Sequence, residues 1–383
     1  MIKFVRSDFR VSNIVNRQSS IVNYLRPVQT DFLIIGQGLA GTALSMNLID
    51  AGASIHIIDN KRKSNSSRIA AGLFNPLVFR RITFGWRGME LLNAAQDFYT
   101  SAEEKLEERF FQSEYLYRVH GTEDERDNWL RLLNEPDFNQ LLGLPEEPSE
   151  RPWLHQPFGG AKVKGAGYLD TEIFLDGMRS RFKNNGQLSE IDFNSEKLEL
   201  KVDSVSYEGI KAKTIIFCEG YLGNDNPWFG NLPFNPAKGE LLVIKAPELP
   251  DEIFNGGVYG VPLGNGFFKV GSTYSWEFED ASPTVEGRAE LKQRLEEVLA
   301  APYEIVSHEA GIRPTVRDRR PLVGFHPLYP RLAIFNGLGT KGVLLAPLIS
   351  KEFAESLVSG SDFNADYSIE RFRKHLISTP YLR

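Results

Sequence analysis

The apolar and polar positions of this chain follow two patterns. Short apolar runs rich in β-branched residues, at 32–35 and 214–218, predict buried parallel strands. Apolar residues at helical spacing, clearest over 88–109, predict amphipathic helices between such strands. From about residue 232, apolar and polar positions alternate between glycine-rich turns, with the strongest hairpin signal at 264–266. The pattern predicts an α/β fold combined with a second, α+β domain on a mixed, mainly antiparallel sheet.

The two patterns alternate along the chain, which predicts two interleaved domains. The first, Rossmann-like domain is predicted from three blocks, 30–100, 166–228 and 310–383. The second is predicted from two blocks, 101–165 and 229–309, and residues 1–29 form an N-terminal arm. Within this scheme a helix is expected over about 165–181 and another from about Val343.

The stretch 31–59 predicts a dinucleotide site. A buried strand leads into Gly36, Gly38 and Gly41, then a helical pattern, then a second strand ending at Asp59. Such glycines allow a tight turn, close approach of a pyrophosphate and close packing of the helix, whose N-terminus attracts anions. A carboxylate at Asp59 can accept from ribose hydroxyls, and its charge disfavours a 2′-phosphate. The motif leaves NAD and FAD open.

Three further stretches carry small residues where a backbone could lie close to a large ligand. They are Ala71 and Gly72 after a serine-rich loop, Gly220 at a strand end, and Gly337, Gly339, Thr340, Lys341 and Gly342 before the last long helix. An ordinary turn is the alternative for the first and the third of these stretches. Two helix N-termini of this kind suit a larger cofactor than a nicotinamide dinucleotide, which usually needs one.

Composition narrows the functional classes. A chain of 383 residues suits two domains, and its net charge of −6 argues against a general nucleic-acid surface. The single cysteine, Cys218, excludes an intramolecular disulfide and a thiolate metal cluster, and we expect an inert buried thiol and no metal site. No run is long enough to span a membrane and no secretory signal is evident, so we expect a cytoplasmic protein. The basic arm 1–29 is interpreted as an extension or an upstream start, with a transit peptide as the alternative.

Taken in order, several segments resemble the D-amino-acid oxidase family of FAD-dependent oxidoreductases, from residue 31 to about 357. They are GQGLAG, AAGLFNP, IIFCEG, KGELLVI, YGVP, KVGST, GIRPTVRDRRPLVG and GLGTKGVLLAP. That family includes glycine oxidase, sarcosine oxidase and the oxidase half of a bacterial tRNA-modifying enzyme. The resemblance implies non-covalent FAD, because no histidine or cysteine matches the flavin-linking residue of some members.

The resemblance also implies where FAD lies. Its ADP half would contact Gly36, Gly38, Gly41 and Asp59, although the family often has Glu where this chain has Asp59. Its isoalloxazine would lie near Gly72 and 339–343.

The reaction that the resemblance implies is oxidation of the C–N bond of a small amino acid or secondary amine. Flavin N5 would accept a hydride, the imine would hydrolyse, and oxygen or another acceptor would reoxidise the flavin. Arg313 would bind the substrate carboxylate, Tyr259 would donate to it, and Lys269 would promote the reaction with oxygen. For Arg313 the alternative is a structural ion pair with Asp318 or Glu309. For Tyr259 it is a tyrosine of the core or rim, and for Lys269 it is a strand lysine that points outward.

Two other functions remain open. A tRNA-modification-type oxidase would be expected to carry a basic RNA-facing surface or a fused methyltransferase, and neither is evident in the sequence. A non-catalytic flavin-binding protein would not need an arginine or a tyrosine for a substrate carboxylate.

Overall fold

The structure, a computed structural model, describes residues 28–61 and 66–377. The predicted arm 1–29 lies outside the described residues, apart from Val28 and Gln29, which begin the first strand. No helix within these two ranges is both long enough and apolar enough to span a bilayer.

Strands and helices are numbered along the chain. The strands of the described residues are β1 (Val28–Ile35), β2 (Ile55–Ile58), β3 (Leu73–Phe74), β4 (Leu77–Val78), β5 (Thr83–Phe84), β6 (Phe111–Val119), β7 (Leu142–Glu146), β8 (Gly160–Leu169), β9 (Leu188–Ser189), β10 (Glu199–Leu200), β11 (Val205–Tyr207), β12 (Ile210–Phe217), β13 (Ala237–Lys245), β14 (Phe254–Gly256), β15 (Val258–Gly264), β16 (Phe267–Gly271), β17 (Glu304–Arg313), β18 (Leu322–Phe325) and β19 (Leu332–Asn336). The α-helices are α1 (Leu39–Asp50), α2 (Ser66–Ile69), α3 (Gly88–Leu106), α4 (Glu123–Leu132), α5 (Thr171–Asn184), α6 (Val285–Glu296), α7 (Gly342–Ser359) and α8 (Arg373–Ile377). Short 3-10 turns occur at Pro148–Glu150, Ser195–Lys197, Gly220–Asp225 and Ile369–Phe372.

The first sheet has a parallel centre. β1 lies between β2 and β12, β9 pairs with β2, and β19 pairs with the second half of β12. β18 and β11 add antiparallel edges, and β10 follows β11. Since the central strands are parallel, the carboxyl ends of β1, β2, β12 and β19 meet at one edge of the sheet, where α/β proteins bind ligands.

Helices cover this sheet on one face, and a smaller cluster covers the other. α1 packs against α7, which also contacts α3, and the helical face buries Leu44, Phe174 and Phe335 completely. The opposite face is closed around Phe217 and Phe229. Buried on both faces, the central strands need the continuous apolar runs that the sequence shows.

The second sheet runs in the order β17, β13, β16, β15, β14, β6, β8 and β3, with β7 also paired to β8. Neighbouring strands are antiparallel except β14 and β6, which are parallel. α6 packs against this sheet through Leu291 and Leu295, and α4 contributes the buried Trp129. The prediction of an α/β fold with a second, mixed and mainly antiparallel sheet is therefore confirmed.

The predicted helix at 165–181 began too early. β8 continues as far as Leu169, because its glycines permit close strand pairing: a Cβ at Gly167 would overlap the Gln112 carbonyl oxygen across the ladder. The helix begins only after Asp170, whose side chain accepts hydrogen bonds from two backbone N–H groups in the first turn of α5. The glycines and the capping aspartate outweigh the helical periodicity at this point.

Some strands of the second sheet cross the predicted block boundaries. β8 runs past the boundary at 165 to Leu169, and β17 runs past the boundary at 309 to Arg313. β3, inside the first predicted block, also pairs with β8. We propose domain boundaries that follow sheet membership at these points.

Candidate active site

A cavity of about 460 Å³ opens at the carboxyl edge of the first sheet and extends to the second sheet. Most of the predicted site residues line it, namely Gly36, Gly38, Asp59, Ala71, Gly72, Gly220, Tyr259, Arg313, Gly339, Thr340, Lys341 and Gly342. Gly41, Gly337 and Lys269 are not part of its wall. The fold thus brings together residues that are up to about three hundred positions apart in sequence.

The turn between β1 and α1 forms one wall. Gly36 has a φ of +100°, and a Cβ there would lie 2.5 Å from the Cys218 carbonyl oxygen, so no other residue fits without strain. Gly41 lies within α1 and packs against this turn. α1 begins after Gly38 without a side-chain cap, and the Leu39 N–H donates to a serine hydroxyl at 3.2 Å. Leu39 and Ala40, the first two residues of the helix, line the cavity, so the positive end of the helix dipole faces it.

Asp59 is held in a fixed direction by three donors. Its carboxylate accepts from the backbone N–H of Gln37 at 3.0 Å, from the N–H of Lys61 at 2.8 Å and from Arg179 at 2.6 Å. Arg179 is only 5% exposed and also donates to the Asp59 carbonyl at 2.9 Å and to the Gln37 side chain at 3.0 Å. An ion pair reinforced by such hydrogen bonds orients the carboxylate at the cavity wall.

The sequence did not identify Arg179. It lies 120 positions from Asp59, and only the packing of α5 against the first sheet brings the two together. The available signal was its place on α5: Arg179 follows Leu175 by one helical turn and shares the buried stripe of Met178 and Phe182. A charged residue inside an apolar stripe indicates a buried partner.

The turn between β19 and α7 forms the facing wall. α7 begins at Gly342, one residue before the predicted start, and its N-cap residue Lys341 provides no side-chain cap. Asn336, only 2% exposed, donates to the Gly220 carbonyl at 2.8 Å, and its side-chain oxygen accepts from Gly337 N at 2.8 Å. Asn336 therefore ties the ends of β12 and β19 together. Its signal was an asparagine between a buried strand and a glycine turn.

Arg313 stands at the last position of β17, with its guanidinium lying across β13. A Cβ at Gly239 would overlap this group, so a side chain at that position would displace the guanidinium. The guanidinium donates to Ser272 Oγ at 2.7 Å and to the Thr273 carbonyl at 3.3 Å, with a longer contact of 3.4 Å to the Lys238 carbonyl. These acceptors are neutral, so they orient the positive charge without neutralising it.

The two carboxylates that could have paired with Arg313 are engaged elsewhere. Asp318 pairs with Arg371 at 2.8 Å, and Glu309 accepts from the Ser307 hydroxyl at 3.2 Å. Burial lowers the pKa of the Arg313 guanidinium from its ordinary value, because desolvation disfavours the charged form. An anion bound in the cavity would offset that desolvation.

Two tyrosines flank Arg313. Burial raises the pKa of the Tyr259 phenol, while Arg313 and a hydrogen bond with Ser272 act in the opposite direction. The phenol is therefore a neutral hydrogen-bond donor at neutral pH. The Tyr274 ring centroid lies 5.2 Å from Arg313 Cζ, a cation–π distance. Ser272 and Tyr274 had no signal in the sequence, because their contact with Arg313 spans about forty residues.

Two lysines add positive charge near the cavity. Lys269 Nζ donates to the carbonyls of Ile69 at 3.3 Å and Ala70 at 3.4 Å, and both of these residues line the wall. Its side chain is therefore turned toward the wall. Lys341 lines the cavity directly, and burial lowers the pKa of its ammonium.

The groups that line the cavity are suited to binding a flavin dinucleotide. Two helix N-termini without side-chain caps, those of α1 and α7, can accept negative charge. Asp59 offers a fixed carboxylate for ribose hydroxyls, and Ala71 and Gly72 leave the wall free of bulky side chains. These features define a protein that binds a large dinucleotide beside a cationic pocket.

Comparison with known proteins identifies the family. A family model described as FAD dependent oxidoreductase, DAO, matches residues 31–356. The chain therefore belongs to the D-amino-acid oxidase family of FAD-dependent oxidoreductases. The predictions of this family, of FAD as cofactor and of oxidoreductase activity are confirmed at this level, while the roles of individual site residues stay predictions.

Relatives agree with this assignment. Glycine oxidase of Pseudomonas aeruginosa is 23% identical over 86% of this chain and 95% of that protein. The bifunctional tRNA 5-methylaminomethyl-2-thiouridine biosynthesis protein of Marinobacter nauticus is 23% identical over 86% of this chain, but over only 56% of its own length. The crystal structure of glycine oxidase from Geobacillus kaustophilus matches with a TM-score of 0.74 and 20% identity, covering 93% of this chain and 100% of that one.

Arg179 provides a test of the ribose end of the site. We expect Arg179→Met to weaken FAD binding about tenfold or more, because the Asp59 carboxylate loses its side-chain donor. Arg179→Lys keeps the positive charge but loses the forked guanidinium. Its affinity for FAD should lie between those of the unaltered protein and Arg179→Met. The measurement is titration of the apoprotein with FAD by flavin fluorescence, with circular dichroism to verify folding.

The matched control is Arg181→Met, an exposed position on the same helix. It should change the FAD dissociation constant less than about twofold. Equal affinities for the Arg179 and Arg181 variants would contradict the positioning role of Arg179.

Proposed function

We propose that this protein oxidises the C–N bond of an amino acid or secondary amine that carries a carboxylate, with FAD as the immediate electron acceptor. The observation that carries the proposal is the Arg313 guanidinium, held on neutral acceptors in the wall of the FAD cavity. The relative named glycine oxidase supports the substrate class. We also propose a cytoplasmic setting, since the single cysteine, Cys218, is a free buried thiol.

Substrate binding rests on two donors that face one anion. The planar guanidinium of Arg313 can donate two parallel hydrogen bonds to a carboxylate, and the neutral phenol of Tyr259 can add a third. The hydrogen bond to Ser272 holds the guanidinium in place before substrate arrives, in the space that Gly239 leaves open. The substrate is then fixed through its carboxylate. This contact also positions the amine within the cavity, so no charged side chain needs to bind the amine itself.

The cofactor and the side chains divide the chemistry. FAD, which the turns around Gly36 and Gly339 and the carboxylate of Asp59 would hold, would supply the hydride acceptor for the amine-bearing carbon and a route for electrons to oxygen or another acceptor. The chain orients the substrate and shields the reacting atoms from water, and the imine product hydrolyses in solvent.

Lys269 is proposed to assist electron transfer to oxygen. Its ammonium is held on the Ile69 and Ala70 carbonyls at the cavity wall. A fixed positive charge there would stabilise the negative charge that develops on oxygen during reduction.

The other two functions gain no specific support. The net charge of −6 does not favour an RNA surface. A purely structural flavin-binding protein gives no reason for glycine at 239 beneath Arg313.

An anaerobic absorption titration tests the proposed reaction directly. The purified, FAD-loaded protein is titrated with glycine, sarcosine, proline and a panel of D- and L-amino acids while the visible flavin band is followed. We expect at least one compound to bleach the band, because electrons then reside on the flavin. The control compounds are the corresponding amines that lack a carboxylate, beginning with methylamine in place of glycine. A band that no carboxylate-bearing amine bleaches would show that the proposed substrate class is wrong.

Arg313→Lys tests the carboxylate site. We expect kcat/KM for carboxylate substrates to fall by on the order of 2 kcal/mol in transition-state terms, about thirtyfold, since lysine cannot donate a bidentate pair. The flavin should stay bound. Arg317→Lys, an exposed position on the same segment, is the control and should retain its kinetics. Unchanged kinetics in the Arg313 variant would remove this residue from the site.

Lys269→Met tests the reaction with oxygen. We expect reoxidation of the reduced enzyme by oxygen to slow by tenfold or more, while reduction by substrate changes far less. The reason is that negative charge develops on oxygen only during reoxidation. Stopped-flow absorption measures the two half-reactions separately. Lys245→Met, at the exposed end of β13, is the control. Equal slowing of both half-reactions would contradict a role in oxygen activation.

A further inference from the structure

Residues 272–284, which we call the rim segment, connect β16 to α6, and Ser272 and Tyr274 of this segment line the cavity. This segment carries two large aromatic side chains that remain exposed, Tyr274 at 40% and Trp276 at 55%. Their ring centroids are 4.6 Å apart and their planes are inclined by 59°. Single exposed apolar side chains are ordinary, but two adjacent exposed rings, one of which lines the cavity, offer a joint contact surface.

The rim segment is anchored and is not built as a loose lid. Ser275 and Lys238 exchange two backbone hydrogen bonds, of 2.8 and 3.0 Å. Lys238 also donates through Nζ to the Ser282 carbonyl, and the Glu240 carboxylate accepts from Thr284 N and Thr284 Oγ1, both at 2.9 Å. Lys238 and Glu240 are each only 4% exposed. Both halves of the segment are therefore tied to β13 through buried charged residues, so the rings are held in place before any ligand arrives.

Tyr274 connects the aromatic pair to the proposed carboxylate site. Its ring contacts the Arg313 guanidinium at 5.2 Å and the Trp276 ring at 4.6 Å. Tyr274 lines the cavity, whereas Trp276 lies outside its wall. A ligand whose carboxylate is bound by Arg313 and which extends along the Tyr274 ring toward its neighbour would therefore meet Trp276.

We propose that Tyr274 and Trp276 form a subsite for an aromatic or large apolar substituent of the substrate. The inference rests on the proposed function in taking Arg313 as the carboxylate anchor. It makes the preferred substrate a bulky amino acid or an N-substituted amino acid, with glycine a poor substrate, because glycine leaves both rings without a partner.

Charge near the rings selects against anionic occupants. Glu277, Glu279 and Asp280 follow Trp276 directly, and all three are exposed. Carboxylates at this density repel a phosphate backbone or an anionic substituent. The aromatic pair is accordingly a subsite for an uncharged group and is unsuited to stacking a base of a nucleic acid.

The test compares two carboxylates that carry no amine and so cannot be oxidised at a C–N bond. Propionate and 3-phenylpropionate are titrated into the FAD-loaded protein, and binding is followed by perturbation of the flavin absorption spectrum. We expect 3-phenylpropionate to bind at least tenfold more tightly than propionate. In Trp276→Ala this ratio should fall below threefold, while Trp276→Phe should keep most of it because a ring remains.

Leu328→Ala is the matched control, since Leu328 is 56% exposed and lies in the turn before β19. Its affinity ratio should equal that of the unaltered protein. Equal affinities for the two carboxylates, or an unchanged ratio in Trp276→Ala, would overturn the subsite.

The failure of the subsite can be separated from failure of the proposed function. If propionate binds equally well to the unaltered protein and to Arg313→Lys, the carboxylate anchor is wrong, and the proposal that rests on it is overturned with it. Absence of binding by both compounds has the same meaning. If propionate binding depends on Arg313 but shows no gain from the phenyl ring, only the subsite is overturned.

Discussion

The register of β13 in the second sheet is the constraint on which the site depends. β13 pairs with β17, which ends at Arg313, and with β16, which carries Lys269; β16 in turn pairs with β15, which carries Tyr259. The backbone of Lys238 on the same strand holds the rim segment. A slip of one residue would turn every side chain to the other face of the sheet. The ladder hydrogen bonds therefore set the relative positions of the residues proposed for substrate binding and oxygen chemistry.

Buried ion pairs serve mainly to orient groups in this protein. The pair of Asp59 and Arg179 directs a carboxylate at the first sheet, and the pair of Lys238 and Glu240 fixes the rim segment at the second. Desolvation largely cancels the attraction between buried charges, so such pairs add little net stability. What they supply is a defined geometry on both sides of the cavity.

The sequence predicts features whose signals are local. The glycine turn after β1, the end of β2 just before Asp59 and the start of α7 within one residue all follow from short stretches. Nothing comparable marks Tyr274, whose relation to Arg313 exists only because a strand and a loop some forty residues apart come together. Arg179 is intermediate, since its place in an apolar stripe signals a buried partner without naming Asp59. The helix start predicted at 165 was wrong because helical periodicity is a local signal, and pairing across the strands keeps residues 165–169 in β8.

The position of the Arg313 guanidinium depends on a second residue, Gly239. The guanidinium of Arg313 occupies the space that a side chain at position 239 would fill. A related chain that kept the arginine but replaced this glycine would retain the recognisable motif while losing the seat for the charged group. Among homologous sequences, the arginine and the glycine should therefore be interpreted together, as one two-residue marker of the carboxylate site proposed for this protein.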